Sequence, residues 1–223
     1  MTQPMFGTDV ISILGTATEV GKTWMTSHLI TELRGRGITV AARKPAQSFS
    51  TDELGTTDAE VLGTASAESP TDVCPSHRWY PYPMAPPMAA ALLDLPMPTM
   101  AELTAETIIP EARFVFVETA GGLKSPIAID GDCLQYARRL GPTLHVLCAD
   151  AGLGTINSIR LAQYCMEGDT MLVFLNRYDE ENIVHRCNRD WLCEVNRFDV
   201  SITIKQLADK LLRTTFGVGP GDR

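Results

Sequence analysis

The chain has 223 residues, a formal net charge of −8 at pH 7 and a sequence pI near 5.0. This length suits one α/β domain that buries a full core. The net negative charge, without a cluster of Lys and Arg, argues against a nucleic-acid partner. The first residues lack the basic and apolar segments of a signal peptide, and no run of about 18 apolar residues follows. We therefore expect a cytoplasmic protein without a membrane segment.

The cysteines and histidines show no pattern typical of a metal or disulfide site. No two cysteines form a C-x-x-C pair, so reduced and mostly structural thiols are expected. The cysteines are Cys74, Cys133, Cys148, Cys165, Cys187 and Cys193. The histidines, which have no metal-ligand spacing, are His28, His77, His145 and His185.

The first predicted strand leads into a glycine-rich loop. Residues 10–14 are a mostly apolar strand pattern, residues 15–23 read Gly-Thr-Ala-Thr-Glu-Val-Gly-Lys-Thr, and residues 22–36 form a helical pattern. Such a loop directs backbone N–H groups at a phosphate, and the following helix adds the positive end of its dipole. Lys22 is then placed to reach the β- and γ-phosphates, and the Thr23 hydroxyl to ligate Mg²⁺. The segment therefore predicts a phosphate-binding loop.

Short apolar runs alternate with helical patterns along the chain, which predicts a doubly wound, mostly parallel α/β sheet with helices on both faces. Further strands are expected at 38–43, 114–117, 144–148, 171–175 and 200–204. Further helices are expected at 58–67, 88–93, 157–166 and 206–212. The proline-rich residues 70–98 predict a packed surface excursion. We expect one ATP-binding domain over residues 1–223, with 214–223 as a frayed tail.

Polar residues follow these strands at their carboxyl ends, where open α/β sheets bind ligands. They are residues 15–23, Lys44, Glu118–Gly122, Asp150–Gly154 and Asn176. Two lysines offset the charge of phosphoryl transfer, while carboxylates and a hydroxyl suit Mg²⁺. Glu118 follows four apolar residues, so it needs a metal or a hydrogen-bond donor. The pattern therefore predicts phosphoryl transfer.

Two other polar residues leave alternatives open. Asp58 fits a metal ligand and an ordinary acid in the first turn of a helix equally well. Asn157 fits a substrate contact and a hydrogen bond at a helix terminus equally well.

Several ordered motifs resemble those of the ATP-dependent dethiobiotin synthetases, which close the ureido ring in biotin biosynthesis. The resemblance covers about residues 10–176. The motifs that carry it are residues 15–23, Lys44-Pro45 with Ser48, Thr57-Asp58-Ala59, Tyr82–Pro86, Glu118-x-Ala120-Gly121-Gly122, Leu153–Asn157 and Asn176. The resemblance implies a ligase reaction in three steps. CO2 adds to one amine of diaminopelargonate as a carbamate, the carbamate accepts the γ-phosphate of ATP, and the second amine displaces phosphate.

The resemblance also implies a role for individual residues. It implies ATP contacts from Gly15, Thr18, Glu19, Val20, Gly21, Lys22 and Thr23, with Asn176 at the adenine. It implies Mg²⁺ ligands at Thr23, Asp58 and Glu118, and catalytic roles for Lys22, Lys44 and Ser48. Diaminopelargonate and CO2 or bicarbonate are implied to contact Lys44, Ser48, Gly121 and Gly122. In a homodimer, the partner subunit is implied to add Thr155, Ile156 and Asn157.

Three positions depart from the family pattern, namely Ala17 for aspartate, Thr119 for glycine and Arg177 for aspartate. The last 45 or so residues also lack the Gly-x-Ile-Pro segment that helps to hold the nucleotide base. The alternatives are a diverged enzyme for another small amine or carboxylate, a regulatory nucleotide binder without turnover, and a switch ATPase of the cytoskeletal and partitioning class. The switch ATPases carry a lysine early in the phosphate loop, and residues 15–20 contain none.

Overall fold

The computed structural model describes residues 7–50 and 55–216. Its strands are β1 (Asp9–Gly15), β2 (Val40–Arg43), β3 (Gln47–Ser48), β4 (Trp79–Tyr80), β5 (Phe114–Glu118), β6 (Pro126–Ala128), β7 (Gly131–Asp132), β8 (Leu144–Asp150), β9 (Met171–Asn176) and β10 (Val200–Ser201). Its helices are α1 (Lys22–Gly35), α2 (Asp58–Ser66), α3 (Pro70–Val73), α4 (Pro86–Leu92), α5 (Met100–Glu106), α6 (Cys133–Arg139), α7 (Thr155–Cys165), α8 (Ile183–Glu194) and α9 (Ile204–Phe216).

Six strands form one parallel sheet in the order β10-β9-β8-β1-β5-β2. The sheet divides the apolar interior into two cores. Phe114 and Phe116 of β5 share one core with residues of α1, α2 and α9, whereas Val115 and Val117 share the other with residues of α6, α7 and α8. Alternate residues of a strand point to opposite faces, so an unbroken apolar strand requires cover on both sides. The predicted fold class is confirmed.

The carboxyl-terminal helix is longer than the sequence pattern indicates. Residues 214–216, expected to belong to a frayed tail, are the last turn of α9. The guanidinium carbon of Arg113 lies 4.6 Å from the centroid of the Phe216 ring, which holds this turn against the domain. Residues 217–223 lie outside the described part of the chain. Within the described part, no helix combines the length and apolarity needed to cross a bilayer.

Several elements have no counterpart among the predicted ones, although some begin with a recognisable signal. The proline-rich excursion contains α3, β4 and α4, of which only α4 matches an expected element, the helix at 88–93, and β4 pairs in parallel with β3. The helices α5 and α6 begin with capping boxes, Thr99 with Glu102 and Asp132 with Gln135. In each box, the two residues exchange side-chain to backbone hydrogen bonds, which satisfies two donors at the helix start.

One acidic side chain covers the edge of the sheet next to the phosphate loop. Glu68 accepts the backbone N–H of Ala42 at 2.8 Å and pairs with the Arg43 guanidinium at 2.7 Å. The next backbone N–H, that of Lys44, donates to the carbonyl of Val73 at 2.8 Å. An uncovered edge would expose donors to another chain. Here the edge donors are satisfied, and the backbone that carries Lys44 is fixed.

A buried histidine lies within the sheet at the opposite end from the loop. His145 of β8 is 3% exposed, and its Nδ1 is hydrogen bonded to the hydroxyl of Ser12 in β1. Its Nε2 lies 3.7 Å from a carboxylate oxygen of Asp169. Burial lowers the pKa of His145 from 6.5, which outweighs the opposing effect of Asp169, and Arg138 lowers it further. The neutral imidazole is therefore the native form.

We expect the free energy of unfolding to fall as the pH drops through 6.5 towards the lower pKa of native His145. In that window the unfolded chain binds a proton that the native state does not, which costs at most about 1.4 kcal/mol per pH unit. Above 6.5 this contribution is complete. His145→Asn keeps a polar atom for Ser12 but cannot titrate. The difference in the free energy of unfolding between the wild-type protein and this variant, measured with urea, should therefore narrow as the pH falls from about 7.5 to about 5. A constant difference would contradict the expectation.

Candidate functional site

A polar crevice of about 610 Å³ lies at the carboxyl edge of the sheet. The ends of β1, β2 and β5 supply the phosphate loop, Lys44 and Glu118 to this edge. Residues predicted for the site that line the crevice are Thr18, Glu19, Gly21, Lys22, Thr23, Lys44, Ser48, Asp58, Glu118 and Gly121. A second cavity of about 640 Å³, beside α7 and β9, contains none of the predicted residues. The crevice is therefore the candidate site.

The phosphate loop has a backbone that only glycine permits at one point. Gly21 has a φ of 88°, and a Cβ there would lie 2.0 Å from Nδ2 of Asn176. That amide nitrogen donates to the carbonyl of Val20 at 2.9 Å. No side chain caps the start of α1, so its first N–H groups stay available to an anion. The loop is thus held from below by Asn176 and open towards the crevice.

Lys22 is buried at the base of the loop. Its Nζ donates to the carbonyl of Gly121 at 2.7 Å and lies 3.5 Å from the carbonyl of Ala17. Burial lowers the pKa of Lys22, while the nearby Glu118 carboxylate raises it. Gly121, with a φ of 76°, brings its carbonyl close to the ammonium. The lysine therefore joins the phosphate loop to the segment after β5.

A cluster of opposite charges occupies the centre of the crevice. Nζ of Lys44 lies 2.8 Å from Asp58 Oδ2 and 2.8 Å from Glu118 Oε1. The Thr23 hydroxyl lies 2.8 Å from Asp58 Oδ1 and 2.7 Å from Glu118 Oε1. Burial alone would lower the pKa of Lys44, but Asp58 and Glu118 raise it well above its ordinary value. Lys44 in turn lowers the pKa of Asp58. Lys44 is therefore a permanent cation here.

The oxygen atoms of this cluster fit a hard divalent cation. Glu118 is fully buried, and within the described part of the chain its Oε2 has no hydrogen-bond partner. Among residues 7–50 and 55–216 there is no group of three or more His, Cys, Asp or Glu side chains placed to hold a metal. The candidate set is instead two carboxylates and the Thr23 hydroxyl. Mg²⁺ is commonly held by one or two carboxylates together with substrate phosphates.

Several predicted residues lie near the crevice rather than on its wall. Gly15 ends β1, and a Cβ there would lie 3.0 Å from Nζ of Lys22. Gly122 packs against the loop, since a Cβ there would lie 3.3 Å from the carbonyl of Thr16. Val20 and Asn176 are buried beneath the loop. The structure thus brings the loop and these supports together.

Thr155, Ile156 and Asn157 lie at the start of α7 and do not line the crevice. No side chain caps this helix, and Gly154 before it has a φ of 94°. The hydroxyl of Thr155 is buried without a hydrogen-bond partner among residues 7–50 and 55–216, whereas the nearby Leu153 is 95% exposed. The helix therefore begins without a side-chain cap and beside an exposed apolar residue.

Gln47 and Arg177 are among the crevice residues that were not assigned a role from the sequence. Gln47, which lies between Lys44 and Ser48 in the sequence, is buried, and its spacing from these residues does not indicate a functional role. Arg177 donates to the carbonyl of Glu19 at 2.8 Å and to Asp150 at 3.0 Å. It was recognised only as a departure from the family pattern. Its position at the end of β9, beside the loop, was the available signal.

Solved structures with the same fold include a putative plasmid partition protein and a cell division protein complex. A putative plasmid partition protein from Borrelia burgdorferi B31, bound to AMPPNP, is 11% identical with a TM-score of 0.57, covering 95% of this chain and 99% of that one. The MinC:MinD cell division complex of Aquifex aeolicus is 14% identical with a TM-score of 0.52, covering 86% and 79%. At these identities the likeness shows the fold alone.

Sequence comparisons are more specific. A family model described as an AAA domain matches residues 9–207. An ATP-dependent dethiobiotin synthetase of Rhodococcus jostii (strain RHA1) is 30% identical, covering 93% of this chain and 91% of the relative. Those of Mycobacterium marinum and Aquifex aeolicus are each 32% identical, covering 83% and 79% of this chain and 83% and 80% of the relatives. The likeness thus extends over nearly the whole length, and the chain belongs to the ATP-dependent dethiobiotin synthetase family.

Proposed function

We propose that this protein closes the cyclic urea of dethiobiotin from diaminopelargonate, CO2 or bicarbonate, and ATP, with Mg²⁺. The observation that carries the proposal is the meeting of Lys22, Lys44, Asp58 and Glu118 with the phosphate loop in one crevice. Transfer of a phosphoryl group to a carbamate brings two anions together. Such a reaction requires fixed cations and a metal to offset their repulsion.

The loop and Lys22 would hold the nucleotide. The free N–H groups at the start of α1 suit phosphate oxygens, and the nearby ammonium of Lys22 suits the transferred group. Asn176 maintains the loop through Val20. Its contact with adenine, expected from the family, stays a prediction, because this amide nitrogen is engaged below the loop.

Lys44 and Ser48 would hold the carbamate. Lys44 keeps its charge because two carboxylates flank it, so it remains a cation when an anionic acceptor binds. Gly121 and Gly122 would let the backbone approach the substrate. Bound Mg²⁺ would neutralise phosphate charge, and Thr23, Asp58 and Glu118 are the residues that would hold it.

The experiment that tests this function is phosphate release measured with and without diaminopelargonate and bicarbonate. Release that requires both, together with formation of dethiobiotin, is the expected result. ATP binding without substrate-dependent release would favour a regulatory binder. Release that depends on another amine or carboxylate would favour a diverged enzyme. Thr119 and Arg177, which depart from the family pattern, both line the crevice, and this is the reason for testing that alternative.

Lys22→Ala should lower the substrate-dependent rate by about 10²–10³-fold, the loss typical of a removed electrostatic donor. The fold should survive, because removal of a buried charge leaves two backbone carbonyls that water can reach through the crevice. Steady-state phosphate release and circular dichroism check both points. The exposed Lys205→Ala is the matched control. Near-full activity of Lys22→Ala would remove Lys22 from the mechanism.

Glu118→Gln should weaken the Mg²⁺ dependence more than nucleotide binding measured without metal. The amide keeps the shape of the side chain but loses the charge that a hard cation prefers. Calorimetric titration with Mg²⁺ in the presence of a non-hydrolysable ATP analogue gives the metal affinity directly. The same change at an exposed position, Glu180→Gln, should leave the titration unaltered. An unaltered titration for Glu118→Gln would return this residue to a structural role.

The protein would act as an isologous homodimer in the cytoplasm. A linear substrate with its amines at the phosphate loop places its carboxylate far away, and the open start of α7 is a good anion site. Two observations support this face as an interface: Leu153 is 95% exposed, and Tyr164 on α7 is 81% exposed. All six cysteines are free thiols, which suits a reducing compartment.

Mixed dimers test the shared site. Lys44→Ala disables the crevice, and Asn157→Glu places a negative charge at the exposed start of α7, where it repels the substrate carboxylate. Each variant alone should be inactive. After dissociation and random reassociation, half of the dimers carry one intact site, so about a quarter of the wild-type activity should return. Mixed dimers that form but stay inactive would exclude a site completed by the partner subunit.

A further inference from the structure

Gln47 carries a buried, unused hydrogen-bond donor beside the crevice. The residue is 2% exposed and lines the crevice together with Lys44 and Ser48. Its Oε1 accepts the backbone N–H of Ala59, the second residue of α2, at 2.9 Å. Its Nε2 is sealed from solvent and has no hydrogen-bond partner among the residues that the structure describes. Most buried polar atoms are paired, so this one requires an explanation.

The orientation of this amide is fixed by its surroundings. The backbone N–H of Ala59 can only donate, so the amide oxygen must face α2 and the amide nitrogen must face away from it. The backbone of Gln47 is held as well, because β3 pairs with β4 at Trp79. Side chain and backbone are thus both constrained, and the two N–H donors are preorganised.

The donor differs from the cations around it. The Lys44 ammonium already contacts Asp58 and Glu118, and the Lys22 ammonium contacts the carbonyl of Gly121. The amide of Gln47 adds a donor without a formal charge, and its Nε2 is hydrogen bonded to neither carboxylate. Donors aimed at developing charge in a dry site contribute strongly to catalysis.

We propose that Nε2 of Gln47 donates a hydrogen bond to an oxyanion bound in the crevice, either a phosphoryl oxygen of the nucleotide or an oxygen of the substrate carbamate. The carbamate source rests on the proposed function, whereas the phosphoryl source needs only nucleotide binding. In both cases Gln47 also positions Asp58, since it holds the N–H of the residue that follows this candidate metal ligand.

The variant Gln47→Glu removes the N–H donor of this side chain but keeps the oxygen that accepts from Ala59. The carboxylate keeps an oxygen for Ala59 but cannot donate, so the substrate-dependent rate should fall about 10²-fold at neutral pH. The rate should recover towards acid pH relative to the wild type, because a protonated carboxyl donates again. Gln206→Glu is the matched control, since Gln206 also accepts one backbone N–H, that of Ile202 at 3.0 Å, far from the crevice. Full activity of Gln47→Glu would reduce Gln47 to an anchor and overturn the proposal.

A second measurement does not depend on turnover or on the variant being stable. In the wild-type protein labelled with ¹⁵N-glutamine, the side-chain amide of Gln47 should shift and its protons should exchange more slowly when ligand binds, with Gln135 and Gln206 as unmoved references. A shift with Mg²⁺ and a non-hydrolysable ATP analogue alone identifies the phosphoryl oxygen. A shift only after addition of diaminopelargonate and bicarbonate identifies the carbamate. No shift in either case would overturn the proposal, whether or not dethiobiotin is formed.

Discussion

The fully buried carboxylate of Glu118 is the constraint around which the crevice is built. It ends the interior strand β5, between two apolar cores, and a lone charge there would be very costly. Two groups compensate this charge through Oε1. Lys44 comes from the end of β2, and Thr23 lies in the first turn of α1. These contacts draw β2, β5 and α1 to one point. Oε2 of the same carboxylate has no hydrogen-bond partner in the described part of the chain, so the compensation comes through one oxygen only.

Support for this point comes from elements that do not touch the ligands themselves. Glu68 covers the edge of β2, which fixes the backbone leading to Lys44. Asn176 donates to the carbonyl of Val20, which holds the phosphate loop from beneath. A site that stabilises charge must be rigid before the ligand arrives, because reorganisation would offset the gain. The sheet therefore contributes to the proposed chemistry through its stiffness.

The sequence predicted the parts of the molecule whose signals are local. An apolar run, a glycine-rich loop and a helical period are contiguous, so β1, the loop and α1 were placed almost to the residue. The helices α5 and α6 were missed although their capping boxes are also local, because short polar helices carry weak periodicity. Gln47 could not have been found, since its meaning lies in a contact twelve residues along the chain and in a donor left unpaired by packing.

Arg177, which departs from the family pattern, joins the phosphate loop to the segment that precedes α7. Arg177 contacts the carbonyl of Glu19 in the phosphate loop and the carboxylate of Asp150, and that carboxylate also accepts the N–H of Gly152, two residues before the cap of α7. One half-exposed guanidinium thus ties the phosphate loop to the segment that leads into α7, the helix proposed to complete the partner subunit's site. Exposed ion pairs of this kind are worth about 1 kcal/mol or less. The tether is therefore weak, and it adds little to the free energy of unfolding.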